Sequence, residues 1–254
     1  MKEYALITGA SAGIGYELAK LFAADRFNLV LVARNEGRLR DFAEELRNAH
    51  GIEVIIVAKD LSSSTAPEEI FDALGSTPVS VLVNNAGFGS QGAFREEKFQ
   101  LSLDMMRVNM DAVVQLTHLF LQPMLKRERG RILNVASTAA FQPGPFTSIY
   151  YATKAFVFSF SVALAEELTG TGITVTTLCP GFTRTEFHER AGFQRSSRWL
   201  RMMSAQDVAR IGYQGLMKGK RIVIPGTMNK VTAAISRRLS PIFTARIVRR
   251  INDR

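Results

Sequence analysis

Short apolar, β-branched runs alternate along the chain with longer segments in which apolar residues recur at i, i+3 and i+4. The short runs predict strands, and the longer segments predict amphipathic helices. Strands are predicted at residues 4–8, 28–33, 54–57, 79–83, 131–135 and 174–178. Helices are predicted at residues 13–24, 36–48, 67–74, 96–125 and 150–168, the fourth segment being divided into two. Val223 and Ile224 supply a last strand.

This alternation predicts a parallel sheet with helices on both faces, because parallel strands need crossover connections that helices provide. The fold class is therefore α/β, a doubly wound, Rossmann-type parallel sheet. No change in composition divides the chain, so we predict one domain at residues 1–227, followed by a basic helical extension at 228–254. No run reaches the roughly 18 consecutive apolar residues of a membrane span.

Composition narrows the class of protein. The 254 residues are 46% hydrophobic, enough to bury a core and to exclude a disordered chain. The single cysteine, Cys179, excludes a disulfide-stabilised scaffold and favours the cytoplasm, and it is expected to pack as a small apolar side chain. His50, His118 and His188 are isolated from one another, so no metal site is predicted.

The formal net charge of +9 is unevenly distributed. Residues 1–183 hold 16 basic and 19 acidic side chains, for a net charge of −3. Residues 184–254 hold 16 and 4, for a net charge of +12. This asymmetry raises three anionic partners for the last quarter of the chain: a membrane surface, nucleic acid and a charged substrate.

A glycine-rich turn follows the first predicted strand and leads directly into the first predicted helix. Its glycines, Gly9, Gly13 and Gly15, have the spacing G-x-x-x-G-x-G. Glycines at such a turn let main-chain N–H groups and the positive end of the helix approach a pyrophosphate. The placement within a β-α-β unit predicts a dinucleotide site, although three glycines in a turn also occur without one.

The end of the second predicted strand distinguishes NAD(H) from NADP(H). A carboxylate there would accept the adenosine ribose hydroxyl of NAD and repel the 2′-phosphate of NADP. The strand ends instead in Ala33 and Arg34, and a guanidinium forms charge-assisted hydrogen bonds with phosphate. NADP(H) is therefore favoured over NAD(H). The alternative is that Arg34 is only a solvated residue, and Glu36 nearby leaves an acid in the same region.

Several separated motifs resemble the short-chain dehydrogenase/reductase family, in its classical form, from about residue 4 to about residue 225. They are residues 8–15, Asp60-Leu61, Asn84-Asn85-Ala86-Gly87, Asn109, Ser137, Tyr150 with Lys154, and Pro180-Gly181. The resemblance implies an NAD(P)-dependent oxidoreductase and a homo-oligomer. It implies that Asp60 lies near the adenine ring and residues 180–185 beside the nicotinamide. The predicted cofactor-binding residues are Gly9, Ser11, Gly13, Ile14, Gly15, Arg34, Asp60, Leu61, Asn84, Ala86, Gly87, Tyr150, Lys154, Pro180, Gly181, Thr183 and Thr185.

Tyr150 and Lys154 are four residues apart, so on a helix their side chains share a face and an ammonium lies near a phenol. We expect this charge to lower the tyrosine pKa from about 10 and to make Tyr150 the general acid that protonates a carbonyl oxygen. Tyr151 has Ala155 as its i+4 partner and points about 100° around the helix, so it is predicted to pack or to wall the substrate.

Three further roles come from the resemblance. It implies that Ser137 polarises the substrate carbonyl, that Asn109 interrupts its helix and anchors a water leading to Lys154, and that Lys154 holds the nicotinamide ribose. An ordinary turn serine and an asparagine at a helix break are the alternatives for the first two. Asn109, Ser137, Tyr150 and Lys154 form the predicted catalytic set.

Two apolar segments, residues 141–146 and 183–205, are predicted to wall the substrate cleft, the second as a lid. They favour an apolar carbonyl substrate, although the same side chains could only close the core. The bulky lid residues are Phe187, Phe193, Trp199, Leu200, Met202 and Met203. Arg195, Arg198 and Arg201 lie among them, either to steer an anionic carrier or to keep the lid soluble.

The extension at residues 230–254 alternates aliphatic side chains with arginines. Packing against the domain or a second subunit is the first interpretation, peripheral contact with an anionic membrane the second, and nucleic acid is not expected. The predicted function is NADPH-dependent reduction of an apolar ketone or 3-oxoacyl compound to a secondary alcohol. The alternative is a non-catalytic NADP sensor that binds a partner or membrane through this segment, and the intact catalytic set argues against it.

Overall fold

The computed structural model describes residues 3–187, 191 and 202–252. Within them, a parallel sheet of seven strands has the order β3-β2-β1-β4-β5-β6-β9, and β7 and β8 pair separately. The strands are β1 (Tyr4–Thr8), β2 (Asn28–Ala33), β3 (Val54–Ala58), β4 (Val79–Asn84), β5 (Gly130–Val135), β6 (Ile173–Leu178), β7 (Thr183–Arg184), β8 (Met203–Ser204) and β9 (Ile222–Val223).

Helices cover both faces of the sheet. They are α1 (Gly13–Ala24), α2 (Glu36–His50), α3 (Ala66–Leu74), α4 (Phe99–Met106), α5 (Ala112–Lys126), α6 (Ser148–Glu167), α7 (Ala205–Met217), α8 (Thr227–Ser236) and α9 (Pro241–Asn252). A π-helical turn, Arg107–Asp111, joins α4 to α5, so the predicted division of residues 96–125 is confirmed. The last strand lies one residue earlier than predicted.

The strands are almost wholly buried because each face of the sheet lies under its own helical layer. Successive side chains of a strand point to opposite faces, so Leu6 and Ile7, both 0% exposed, enter different apolar layers. The doubly wound parallel sheet is therefore confirmed. Its strand order reverses between β1 and β4, which places a crevice at the carboxyl ends of these two strands.

Helix α6 deserves comparison with a membrane span, since it is the one described helix that passes for a span by length and composition. It packs against β5 and β6 and buries Lys154, Val157 and Leu164 on that side. A helix that carries a buried lysine against a sheet belongs to the core of this fold.

The C-terminal extension packs onto the domain. Ala233 of α8 shares a small apolar cluster with Val157 and Cys179. The Arg237 guanidinium lies 5.0 Å from the ring centroid of Phe141 and makes a similar contact with Phe158. The boundary at residue 227 remains a prediction. Most of the predicted lid, including Phe193, Arg195, Arg198, Trp199, Leu200 and Arg201, lies outside the described residues.

Candidate active site

The turn after β1 fits a pyrophosphate. No side chain caps α1 at Ala12, whereas the Asn35 side chain accepts a hydrogen bond from a main-chain N–H of α2. The first N–H groups of α1 are thus left for an anionic group. Gly13 has φ of 60°, and a Cβ there would lie 3.1 Å from the Thr185 methyl carbon, so only glycine suits this position under the chain segment that closes the turn.

Asn85 ties the end of β4 to the end of β1. Its side-chain amide donates to the Thr8 carbonyl oxygen at 2.9 Å, and its main-chain N–H donates to Thr8 Oγ1 at 3.0 Å. Asn84 is instead buried and donates to Thr117 Oγ1 at 3.1 Å and Asn134 Oδ1 at 2.9 Å. The side chain of Asn84 therefore supports the strand ends from inside the protein, and a contact of Asn84 with the cofactor remains a prediction.

Arg34 directly follows the last residue of β2, at the carboxyl edge of the sheet. Arg34 is 67% exposed, and its nearest guanidinium nitrogen lies 3.9 Å from an Asp60 carboxylate oxygen. Glu36, the acid that complicated the prediction of cofactor, forms an i,i+4 ion pair with Arg40 at 2.6 Å. Its charge is therefore balanced within α2, while Arg34 keeps an exposed guanidinium at the strand end.

Helix α6 brings the central catalytic candidates together. Lys154 Nζ lies 5.9 Å from the ring centroid of Tyr150 and donates to the Val135 carbonyl oxygen at 2.9 Å. Ser137 Oγ accepts from Ala139 N at 3.1 Å and lies within 3.4 Å of the Pro180 carbonyl oxygen. A phenol, a hydroxyl and an ammonium thus converge at the ends of β5 and β6.

The pKa of Tyr150 is raised in the structure, whereas the sequence led us to expect that it would be lowered. Burial raises the pKa of Tyr150 to about 12, and the hydrogen bond with Ser137 opposes this shift only in part. Burial lowers the pKa of Lys154 to about 8. The reason is that each side chain is removed from water, which penalises its charged form more strongly than the neighbouring groups favour it.

Asn109 lies at the middle of the π-helical turn and is 0% exposed. Its side chain donates to the Phe88 carbonyl oxygen at 2.9 Å and to Thr153 Oγ1 at 3.0 Å, and it accepts from Phe88 N at 3.1 Å. A Cβ on Gly87 would lie 3.0 Å from Asn109 Oδ1 and 3.2 Å from Lys154 Nζ. The interrupted helix therefore places Asn109 directly beside the lysine.

Aromatic side chains flank the catalytic tyrosine. The Phe187 ring lies 5.4 Å from that of Tyr150, centroid to centroid. Tyr151 packs over Gly144, where a Cβ would lie 2.3 Å from the tyrosine ring, so this glycine makes room for it. Tyr151 is therefore placed as a wall beside Tyr150, with no ammonium of its own.

The loop after β6 is covered by the C-terminal extension. Thr183 Oγ1 donates to the Gly181 carbonyl oxygen at 3.0 Å. The α8 residue Asn229, which donates to the Pro225 carbonyl oxygen at 2.7 Å, lies so close to Gly181 that a Cβ there would be 2.4 Å from Asn229 Oδ1. No local pattern in the sequence indicates this contact, since Gly181 and Asn229 belong to separate predicted segments.

The end of α9 reaches the other side of the site. Asn252 donates to the Pro145 carbonyl oxygen at 2.9 Å and to Thr147 Oγ1 at 3.2 Å, and its own carbonyl accepts from Gln91 Nε2 at 3.0 Å. An open cleft of about 560 Å³ lies beside this junction. It is lined by Ala93, Phe94, Arg95, Pro145, Phe146, Ser148 and Arg249.

Cys179 is buried as an ordinary core residue, and His188 lies outside the described residues. Burial raises the pKa of the Cys179 thiol to about 12, which keeps it protonated within an apolar cluster. Within the described ranges, no group of three or more His, Cys, Asp or Glu side chains is arranged to hold a metal ion.

Comparison with known proteins agrees with this geometry. The short chain dehydrogenase family model matches residues 3–195. A very-long-chain 3-oxoacyl-CoA reductase of Laccaria bicolor is 38% identical over 176 residues, which cover 68% of this chain and 52% of that protein. The 17-beta-hydroxysteroid dehydrogenase type 3 of Mus musculus is 36% identical over 184 residues, 71% of this chain and 60% of that protein. The matched segments thus span about half to three-fifths of these relatives.

A solved structure of a short-chain dehydrogenase from Sphingobium yanoikuyae, in complex with NADPH, superposes with a TM-score of 0.84. It is 29% identical, and the match covers 94% of this chain and 97% of that one. A Rossmann-type sheet with a serine, a tyrosine and a lysine at its carboxyl edge fits this family of dehydrogenases. The chain belongs to the short chain dehydrogenase family.

Proposed function

We propose that this protein is an NADPH-dependent reductase that converts an apolar ketone or 3-oxoacyl compound to a secondary alcohol. The observation that carries the proposal is the convergence of Tyr150, Ser137 and Lys154 beside the crevice, with Lys154 Nζ 5.9 Å from the tyrosine ring. A protein that only senses a dinucleotide has no need of a buried phenol paired with an ammonium.

Three side chains divide the work on the carbonyl. Tyr150 donates the proton to the carbonyl oxygen from a phenol that is protonated near neutrality. Burial raises its pKa, so the positive charge of Lys154 has to favour the phenolate as the proton leaves. Ser137 exchanges its long contact with the Pro180 carbonyl for the substrate oxygen, where negative charge develops. Lys154 holds a positive charge next to the phenol as the proton leaves. The bound dinucleotide supplies the hydride.

The preference for NADP(H) rests on Arg34. Its guanidinium is exposed at the end of β2, where the ribose phosphate would lie, and Ala33 leaves no carboxylate to oppose that phosphate. The Asp60 carboxylate lies 3.9 Å from the guanidinium, but it offsets the positive charge of Arg34 only weakly because both groups are well solvated. The other nearby acid, Glu36, forms its ion pair with Arg40 and not with Arg34.

The apolar character of the substrate is supported by the wall around Tyr150. Phe187 packs against its ring, Tyr151 lies on the adjacent side, and Phe146 belongs to the segment that leads into α6. Two relatives are named for a very-long-chain 3-oxoacyl thioester and for a 17-beta-hydroxysteroid. Both compounds are large and mostly hydrocarbon, which fits an apolar wall.

A homo-oligomer is part of the same proposal. Phe99 and Leu101 of α4 are 72% and 39% exposed, and Phe156 of α6 is 40% exposed. Helices α4 and α6 are in contact, so exposed apolar side chains lie on two neighbouring helices. Exposed apolar side chains of this kind are typical of subunit interfaces.

The direct test is NADPH consumption against a panel of long-chain ketones, steroids, quinones and 3-oxoacyl thioesters, repeated with NADH. We expect turnover with at least one apolar carbonyl and a higher kcat/KM with NADPH. Binding of NADPH without turnover across the panel would contradict the proposal and favour a sensor. Tighter binding of NAD than of NADP would contradict the cofactor preference alone.

A further inference from the structure

Exposed apolar side chains are concentrated in the last two helices. Of the twelve large hydrophobic residues that are exposed in the described part of the chain, eight lie between residues 228 and 251. Single exposed apolar residues are ordinary, but a concentration of them marks a surface that contacts something else. The eight are Met228, Val231, Ile235, Leu239, Ile242, Phe243, Ile247 and Ile251.

The exposed apolar side chains of α9 form a stripe along the helix. Phe243, Ile247 and Ile251 are spaced by four residues and are 51%, 42% and 51% exposed. Side chains at this spacing lie above one another on a helix, and Arg246 and Arg250, also four apart, form the neighbouring stripe. The opposite side of α9 is buried. We call these five residues the tail face.

The charge of the tail face is uncompensated. Residues 208–252 contain no aspartate or glutamate but ten lysines and arginines. Among the residues that the structure describes, neither Arg246 nor Arg250 takes part in an ion pair. An apolar stripe beside unpaired arginines matches a surface that offers both hydrocarbon and negative charge.

That combination argues against a second copy of this chain. In a two-fold symmetric dimer the same patch meets itself, so arginines would lie against arginines. An anionic bilayer satisfies both stripes at once, because apolar side chains enter the acyl boundary while arginines stay at the phosphate headgroups.

We propose that the tail face docks the protein on an anionic lipid bilayer. The position of α9 links this membrane contact to catalysis, an argument that rests on the proposed function. Its last turn is hydrogen-bonded through Asn252 to the segment that leads into α6 and Tyr150. Docking therefore brings the substrate side of the protein to the surface where apolar carbonyl compounds partition.

The test is flotation of the full-length protein with vesicles of phosphatidylcholine, alone or mixed equally with phosphatidylglycerol. Wild type should float with the mixed vesicles only and should be released at high salt. The double variant Arg246→Gln/Arg250→Gln should lower partitioning about 30-fold, at about fivefold for each arginine. Phe243→Ser should lower it about tenfold through lost apolar burial.

The matched control is Lys218→Gln/Lys220→Gln, which removes two exposed charges outside the tail face and should float like wild type. If the intact protein does not bind the mixed vesicles, the proposal is overturned and a protein partner is left to cover the tail face. Loss of self-association in Phe243→Ser, measured by sedimentation velocity without vesicles, would overturn it in favour of a second copy. Because flotation needs no substrate, vesicle binding without reductase activity would contradict the proposed function only.

Discussion

The Asn252 side-chain amide donates a hydrogen bond to the Pro145 carbonyl oxygen at 2.9 Å, across 107 residues of sequence. This bond joins the last turn of α9 to the segment that leads into the catalytic helix. Phe146, the residue between Pro145 and Thr147, has φ of 65°, an uncommon conformation for a side chain of this size. The C-terminal helix therefore helps to hold a strained part of the substrate wall.

Asn252→Asp tests this relationship, because aspartate keeps the shape of the side chain but cannot donate. We expect KM for an apolar carbonyl substrate to rise at least about fivefold, because two donated hydrogen bonds are lost and a carboxylate then faces the Pro145 carbonyl oxygen, while kcat is largely kept. The split matters because Asn252 positions the wall and does not touch the reacting atoms. Asn252→Gln keeps the donor and should restore part of the affinity. A loss in kcat at unchanged KM would contradict a positioning role.

Two adjacent tyrosines allow a matched test of the general acid. Tyr150→Phe should reduce kcat by at least a hundredfold, since proton transfer by a placed side chain contributes about 10²–10⁴-fold. Tyr151→Phe should keep most of the activity, because its ring packs over Gly144 and no ammonium lies beside it. Fluorescence titration should show that both variants still bind NADPH. Greater loss in Tyr151→Phe than in Tyr150→Phe would invert the assignment.

The strand pattern and the Tyr150–Lys154 spacing were sufficient to predict the fold and the centre of the site, because both depend on local periodicity. The motif does not tell which of the two adjacent asparagines, Asn84 or Asn85, is buried below the strand ends. The alternation of β4 turns Asn84 inward to Asn134, which stands in an apolar strand and could have indicated a buried polar network. The contacts of Asn252 depend on the path of the chain between distant segments, which no local pattern encodes.

Arg34 should determine the choice between the two dinucleotides. In Arg34→Gln we expect KM for NADPH to rise about tenfold to a hundredfold, because a hydrogen bond to a charged group is worth about 1.5–3 kcal/mol. KM for NADH should change little, since NADH has no 2′-phosphate. Arg238→Gln is the control, because Arg238 is an exposed arginine of the C-terminal extension and does not belong to the turn between β2 and α2. Equal losses with both dinucleotides would show that Arg34 does not recognise the phosphate.

The buried lysine should make the stability of the cofactor-free protein depend on pH. The pKa of Lys154 is about 8 in the folded protein, because of burial, against about 10.4 in an unfolded chain. Between these values the unfolded chain holds a proton that the folded protein has released, so the free energy of unfolding rises with pH. Tyr150 acts in the opposite direction, but only above pH 10, where the unfolded tyrosine begins to ionise before the folded one.

Urea unfolding of wild type and Lys154→Met at pH 7, 8, 9 and 10 isolates the lysine, because Tyr150 is present in both proteins. The stability of wild type relative to the variant should rise by about 1 kcal/mol per pH unit between pH 8 and 10, and it should be flat below pH 8. Lys20→Met removes a lysine that is exposed on α1, and the same difference for that variant should not change with pH. If the difference in unfolding free energy between wild type and Lys154→Met does not change with pH, Lys154 keeps its ordinary pKa in the folded protein. Burial would then not disfavour the charged form of Lys154.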